Sequence, residues 1–222
     1  NLYSTKWGNR FVSRSFTNEG GTTGTAQFKN IEQLHNGFEL EAKYTVSSNF
    51  RLSGMLSIGD WKYTKDFTST LFDDTNTEIG SGTLYTKDAK IGDAAQFVSF
   101  IQADYSVIDN LSFDLGWRNV NNLYADYSIV DSDFTSPDNQ GALKLPSYNL
   151  IDLGTTYRFN LFGNNTYARL NINNLFNEEY IMESNTNIHS DGTNPTYQGI
   201  DVRNSVWFGF GTTWNFTLKM NF

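Results

Sequence analysis

The 222-residue chain contains no cysteine, which removes disulfides and cysteine-ligated metals from consideration. It has only two histidines, His35 and His189, and two imidazoles without a thiol make a poor basis for a dedicated transition-metal site. No apolar run approaches the roughly 18 residues that a spanning helix requires. A hydrophobic fraction of 38% and a mean hydropathy of -0.47 likewise exclude a helical membrane protein. Cations are scarce: 16 Lys and Arg face 24 Asp and Glu, and the net charge of -8 argues against a nucleic-acid partner. No signal peptide is seen and Asn1 opens inside a strand-like pattern, so the expectation is either that a signal was cleaved away or, the favoured reading, that the chain is a piece of a longer polypeptide.

Aromatic residues, by contrast, reach 16%. They fall into an alternation that is clearest from Ser205 to Phe222. Phe208, Phe210, Trp214, Phe216, Leu218, Met220 and Phe222 occupy one parity, interrupted only by Thr212, while the other parity is mostly small or polar. A strand sends successive side chains to opposite faces, so this segment has one apolar wall and one polar wall. Read as a single strand it would run about 60 Å at roughly 3.3 Å per residue, longer than a bilayer crossing needs. A membrane barrel hides its apolarity in every second residue, which keeps its mean hydropathy low.

The same alternation recurs upstream. Candidate outward positions are Phe38 to Val46 and Phe50 to Ile58, then Ala95 to Val107 and Leu111 to Trp117, then Ile151 to Phe159 and Ala168 to Ile172, taken two apart. None of them is Asp, Glu, Lys or Arg. The interleaved positions carry the charge: Glu39, Glu41, Lys43, Arg51, Asp104, Asp114, Arg118, Asp152, Arg158, Arg169 and Lys219. Connections alternate between short (47–49, 108–110, 161–164) and long (66–92, 131–145, 176–203). With a weaker first strand over 1–16, grouping Tyr3, Trp7 and Phe11, this gives about eight antiparallel strands in one all-β unit over 1–222. Short turns at one end and long loops at the other are the pattern of an outer-membrane barrel. Tyr44, Tyr105, Trp117, Tyr157 and Trp214 are placed to rim the apolar wall, where amphipathic rings suit the headgroup level.

Two motifs carry a family resemblance. Asn171 to Tyr180 reads N-I-N-N-L-F-N-E-E-Y, and its residues Asn174, Leu175, Phe176, Asn177 and Tyr180 resemble a signature near the C-terminus of TonB-dependent outer-membrane receptors. Gly37, Glu39 and Glu41, in G-F-E-L-E, resemble a segment those receptors carry several strands earlier. Val202-Arg203 before the closing strand fits the same pattern. The terminal residues Trp214, Phe216, Leu218, Met220 and Phe222 resemble the signal read by the barrel-assembly machinery. The resemblance implies an arc of a 22-stranded barrel whose lumen is closed by a plug. It also implies energised import of a scarce nutrient (a metal chelate, cobalamin or a glycan) across the bacterial outer membrane. The implied partners are membrane lipid, missing N-terminal strands and plug, the TonB complex acting through the plug, the assembly machinery and an accessory surface lipoprotein. No cofactor is implied. The plug and the TonB-contacting box are not in this sequence, so it reads as the last third of such a barrel. The alternative is a self-closed eight-stranded barrel with a structural or adhesive role.

Enzymatic chemistry has one candidate. His189-Ser190-Asp191 has the residue types of a nucleophilic triad, and a barrel-rim hydrolase is the third reading. Three consecutive loop residues are a poor basis for a mutual relay, which depends on geometry, so a non-enzymatic chain is expected. Acidic loops (Asp66, Asp73, Asp74, Glu78, Asp88; Asp131, Asp133, Asp138) could hold Ca²⁺, but no full ligand loop follows, and solvation is the expectation. Trp61, Tyr127, His189 and Tyr197 are the candidate ligand contacts near the loops. Few loop cations favour a neutral glycan over an anionic chelate.

Overall fold

A computed structural model of the chain describes residues 1–17, 21, 23–127 and 132–221. Asp131, the side chain of Asp133 and Phe222 therefore lie outside the described residues, and with them two carboxylates of the second acidic loop and the last position of the assembly signal. Fourteen strands occur among the described residues: β1 Leu2–Thr17, β2 Thr23–Ser47, β3 Phe50–Tyr63, β4 Phe67–Asp73, β5 Glu78–Leu84, β6 Phe97–Ile108, β7 Leu111–Asn121, β8 Tyr148–Leu161, β9 Asn164–Asn173, β10 Ile181–Ser184, β11 Thr196–Tyr197, β12 Ile200–Asp201, β13 Val206–Phe208 and β14 Thr213–Asn221. The remaining regular element is a 3-10 turn, Ser132–Thr135.

Ten strands form one antiparallel sheet in the order β14-β9-β8-β7-β6-β3-β2-β4-β5, with β1 on the other side of β2. The backbone is all-β as the alternation predicts, and its neighbours in space are mostly neighbours in sequence. β14 and β1 stand at opposite margins and are not paired, so the described strands do not close on themselves. The self-closed eight-stranded barrel is not what this sheet forms.

Register puts the separately read parities on common faces. One row crosses seven strands as Tyr44–Leu52–Ala103–Leu115–Leu153–Ile172–Trp214, and the next as Phe50–Tyr105–Phe113–Thr155–Leu170–Phe216. The interleaved row on the opposite face is Thr45–Arg51–Asp104–Asp114–Gly154–Asn171–Asn215. A slip of one residue in any strand would send its apolar set to the polar side. The three short connections tighten to two-residue turns, Ser48-Asn49, Asp109-Asn110 and Phe162-Gly163. Phe162 (φ 51°) and Gly163 (φ 84°) both have positive φ, as a type I′ hairpin turn requires.

Three expectations are corrected. The terminal segment is not one 18-residue strand. β13 pairs with β10, the chain leaves the sheet at 209–212, and only the nine residues of β14 pair with β9. Thr212, which broke the parity, lies in the break. Nine residues span about 30 Å, enough for hydrocarbon. Second, the long connections are not bare loops: 66–92 contains the β4–β5 hairpin, and 176–203 contains β10, β11 and β12. The hairpin turns on Asp73, whose Oδ1 accepts from the Thr75 and Thr77 amides at 2.9 and 2.8 Å. Third, Tyr3, Trp7 and Phe11 do not share a face. The β1–β2 ladder shifts register between Trp7 and Arg10 and again between Arg10 and Val12, where Asn9 and Asn30 both take positive φ. These paired irregularities act as bulges. Tyr3 and Trp7 fall on the charged face, and Arg10, Val12 and Arg14 follow them there.

The buried apolar clusters sit at the long-loop end. Phe28, Ile31, Phe67, Leu84 and Phe134 form one, and Leu123, Ala125, Leu145, Ile181 and Ile200 the other. β2 is 25 residues long because its first third extends past β3 and pairs with β4 to carry the first of these clusters. Among the described residues no protein layer covers the apolar face of the central sheet: Trp214, Phe216 and Leu218 are 71%, 58% and 55% exposed.

Candidate functional site

On the polar face two arginines pair with aspartates across strands. Arg51 Nε lies 3.3 Å from Asp104 Oδ2. One strand further, Arg169 makes a bidentate ion pair with Asp114, Nη1–Oδ1 2.8 Å and Nη2–Oδ2 3.0 Å, and donates also to Thr156 Oγ1 at 2.9 Å. Planar forks of this kind match carboxylate geometry and fix both side chains. Gly154 makes the room for them, since a β-carbon there would collide with the Asp114 carboxylate. Arg118 lies over the Phe100 ring, 5.7 Å from its centroid. Asn171 Nδ2 donates to Asn215 Oδ1 at 2.8 Å, extending the polar row to β14.

Gly37 belongs to this face, and its role is steric. Tyr3, opposite it on β1, lays its ring over the bare α-carbon, and Trp61 does the same for the paired Gly59. Trp61 Nε1 donates to Tyr3 Oη at 3.0 Å. Glu39 accepts from the Asn1 side-chain amide at 3.1 Å, and Glu41 stands exposed on the same face. Above the glycines, Trp7, His35 and Trp61 stack in series, with centroid separations of 5.9 and 5.5 Å.

The N-L-F-N-x-x-Y segment is a clamp. Asn174 is 4% exposed and in the left-handed region at φ 49°. Its Oδ1 accepts from the Glu178 amide at 2.8 Å, and its Nδ2 donates to the carbonyls of Glu178 (2.9 Å) and Phe210 (3.1 Å). Its own amide donates to Asp152 Oδ1 at 2.8 Å, and its carbonyl accepts from Thr212 Oγ1 at 2.7 Å. Asn177 Oδ1 accepts from the Thr212 amide at 3.0 Å. The Leu175 amide donates to the Ile151 carbonyl at 2.7 Å. Tyr180 covers Gly209 and packs 4.2 Å from Tyr148, whereas Phe176 projects outward and exposed. These contacts hold the turn after β9 against the break before β14, so the motif has a local structural reason to exist.

The remaining candidate contacts are not brought together. His189 Nε2 faces the Gly141 carbonyl at 3.0 Å, Ser190 Oγ accepts from the Gly192 amide, and Asp191 bonds Thr193 and Arg203. No relay links His189, Ser190 and Asp191. Asp191 Oδ1 accepts from the Thr193 hydroxyl and amide, and with Arg203 this holds its carboxyl down at about 2. Arg203 is clamped mainly by Asp201, whose side chain is fully buried, at 2.8 Å. Tyr197 donates to Glu179 Oε2 at 3.0 Å and meets Phe208 edge-on. Tyr127 stacks on Phe134 at 4.9 Å and donates to the Lys90 carbonyl at 2.7 Å; burial pushes its phenol up. Two further loop carboxylates have partners: Asp66 accepts from the Lys87 amide, and Asp88 pairs with Lys62.

Sequence reading missed Tyr3, Trp7 and His35 as a group with Trp61. The signal that could have found them is the Gly37 parity, which continues through His35 to the charged face. No family model matches the chain, and no curated protein matches it either.

Proposed function

We propose that this chain is a section of the wall of a TonB-dependent receptor in the bacterial outer membrane, importing a scarce nutrient with energy delivered through a plug. The observation that carries the reading is the sorting of the sheet into two faces. Apolar side chains from seven strands fall in rows on one face, where no layer formed by the described residues covers them, and the ion-paired charges fall on the other. Lipid tails are the solvent that suits the first face, because a Lys or Arg at mid-bilayer costs about 2–4 kcal/mol and none is present. Water or a plug suits the second. Backbone groups inside hydrocarbon have to be paired within the protein, so the free margin of β14 and the margin of β1 call for further strands. Trp117, whose indole donates to Asn149 at 3.1 Å, supports a headgroup level at the loop end of the apolar band.

The two sequence motifs that resemble this receptor family are the reason for preferring a transporter over another barrel. The structure of the intact polypeptide tests the reading. A barrel in which β14 pairs with a strand preceding Asn1, around a plug, is the expected result; direct pairing of β14 with β1, or the absence of a plug, contradicts it. Nutrient uptake that persists after removal of TonB would contradict the energised step.

A further inference from the structure

A cavity of about 170 Å³ opens on the polar face at the long-loop end, beyond the Trp7–His35–Trp61 stack. Its floor is Ile31 and Gln33, both buried, and Tyr63 and Tyr127 wall it on the loop side. Its rim carries two guanidinium groups, Arg10 and Arg14, brought to this face by the bulges in β1 and β2. Neither meets a carboxylate among the described residues. Arg10 donates to the neutral Gln33 Oε1 at 2.8 Å and lies over the Trp7 ring, 5.5 Å from its centroid. Arg14 makes no ion pair or hydrogen bond among the described residues. Asp126 adjoins Tyr127 in sequence, and its charge adds to burial in raising the Tyr63 and Tyr127 phenols.

In a chain with 16 cations against 24 anions, Arg51 and Arg169 of the central strands are bound to aspartates, while Arg118 lies over the Phe100 ring and Arg158 has no ion pair among the described residues. Arg10 and Arg14 are distinctive in standing together, two guanidiniums without a carboxylate partner at one cavity mouth. His35 is distinctive as well: its Nε2 is buried and has no hydrogen-bond partner, while its ring is sandwiched between two indoles. Buried polar atoms are ordinarily satisfied, so this nitrogen is a second unusual polar group beside the cavity.

We infer that this cavity and the adjoining stack bind a ring-bearing oxyanion, with the carboxylate or phosphate held by Arg10 and Arg14 and the planar ring laid against the aromatic wall. Guanidinium forks match both oxyanions bidentately, and aromatic faces accept planar rings. The volume suits the head of a larger molecule rather than the whole of it. The scarcity of cations in the loops, which pointed to a neutral glycan, does not bear on this site because both arginines come from β1. The inference deepens the transport reading and rests on its assignment of the polar face to water, but binding itself requires no TonB.

The test is calorimetric titration of the intact protein in detergent with benzoate, phenyl phosphate, inorganic phosphate and the neutral benzyl alcohol. Saturable binding of benzoate or phenyl phosphate is expected, at least tenfold tighter than benzyl alcohol and than inorganic phosphate. Whichever of the two binds tighter identifies the oxyanion. Arg14→Gln and Arg10→Gln should each weaken that binding at least tenfold, and Arg51→Gln, a paired guanidinium elsewhere on the face, should change it less than twofold. Arg14 is exposed and unpaired, so its replacement leaves the fold intact. Equal affinity for benzyl alcohol, indifference to Arg14→Gln, or no saturable binding would overturn the inference. Such a result would leave untouched the two-faced sheet, whose test is separate.

Discussion

Arg169 on β9 and Asp114 on β7 form their bidentate pair across the intervening strand β8, directly over Gly154. The pair spans three strands because the middle one offers no side chain. Gly154 does not need its glycine for backbone reasons, since its φ is not positive; the requirement is space alone. Gly154→Ala should therefore overpack the site and cost about 1–3 kcal/mol. Urea unfolding in lipid vesicles measures it, and an unchanged midpoint would show that the pair moves aside freely.

Asn174 should be the least replaceable residue of its motif. Its side chain makes three hydrogen bonds, each worth about 1 kcal/mol, in a conformation that alanine resists. Asn174→Ala is expected to cost about 3 kcal/mol or more. Asn174→Asp keeps the acceptor towards the Glu178 amide but turns an oxygen on the carbonyls of Glu178 and Phe210, so it should also be destabilised. Phe176→Ala, by contrast, should leave unfolding in detergent nearly unchanged, because that ring is exposed and touches little. The reverse order of severity would contradict the clamp.

A large part of this architecture can be read in the residues themselves. Strand parity is local and strict, so a residue-by-residue reading of Phe113, Leu115 and Trp117 or of Ile151, Leu153 and Thr155 fixes their face without any knowledge of partners. Thr212 even marks the break in the terminal strand. What stays hidden depends on geometry that parity cannot express. A single positive-φ asparagine at position 9 reverses the alternation of β1 and separates Phe11 from Trp7. The β4–β5 hairpin is masked because its turn is held by Asp73, whose acidic neighbours read as a solvated loop. The cavity at Arg10 and Arg14 requires Tyr127, more than 100 residues away in sequence, to fold back over β1 and β3.

The apolar rows make a prediction about charge. Leu115→Arg or Leu153→Arg, in the middle of the face, should reduce stability in lipid by about 2–4 kcal/mol and lower the amount assembled in the outer membrane. Glu41→Arg, exposed on the opposite face, should change stability by less than about 0.5 kcal/mol. Equal tolerance on both faces would remove the distinction between them.

The loop around Asp191 should respond to acid. Its folded carboxyl titrates at about 2, below the ordinary 3.8, chiefly because Thr193 donates its hydroxyl and amide, with Arg203 adding. A depressed carboxyl contributes stability that is complete above the unfolded value and is lost as pH falls from about 4 towards 2. Thr193→Ala should raise the Asp191 titration towards 3.8, as followed by carboxyl carbon NMR. No movement would show that Arg203 alone sets it.

The most direct test uses the absence of cysteine, which lets single thiols be introduced one at a time along β14. Nitroxide labels at Trp214, Phe216 and Leu218 and at Asn215 and Thr217, in protein reconstituted into lipid vesicles, report collisions with oxygen and with a water-soluble nickel chelate. The predicted profile alternates with a period of two, with oxygen dominant at 214, 216 and 218 and the chelate at 215 and 217. Chelate access at both parities, or labels at 214, 216 and 218 shielded from both quenchers, would contradict the assignment of that face to lipid.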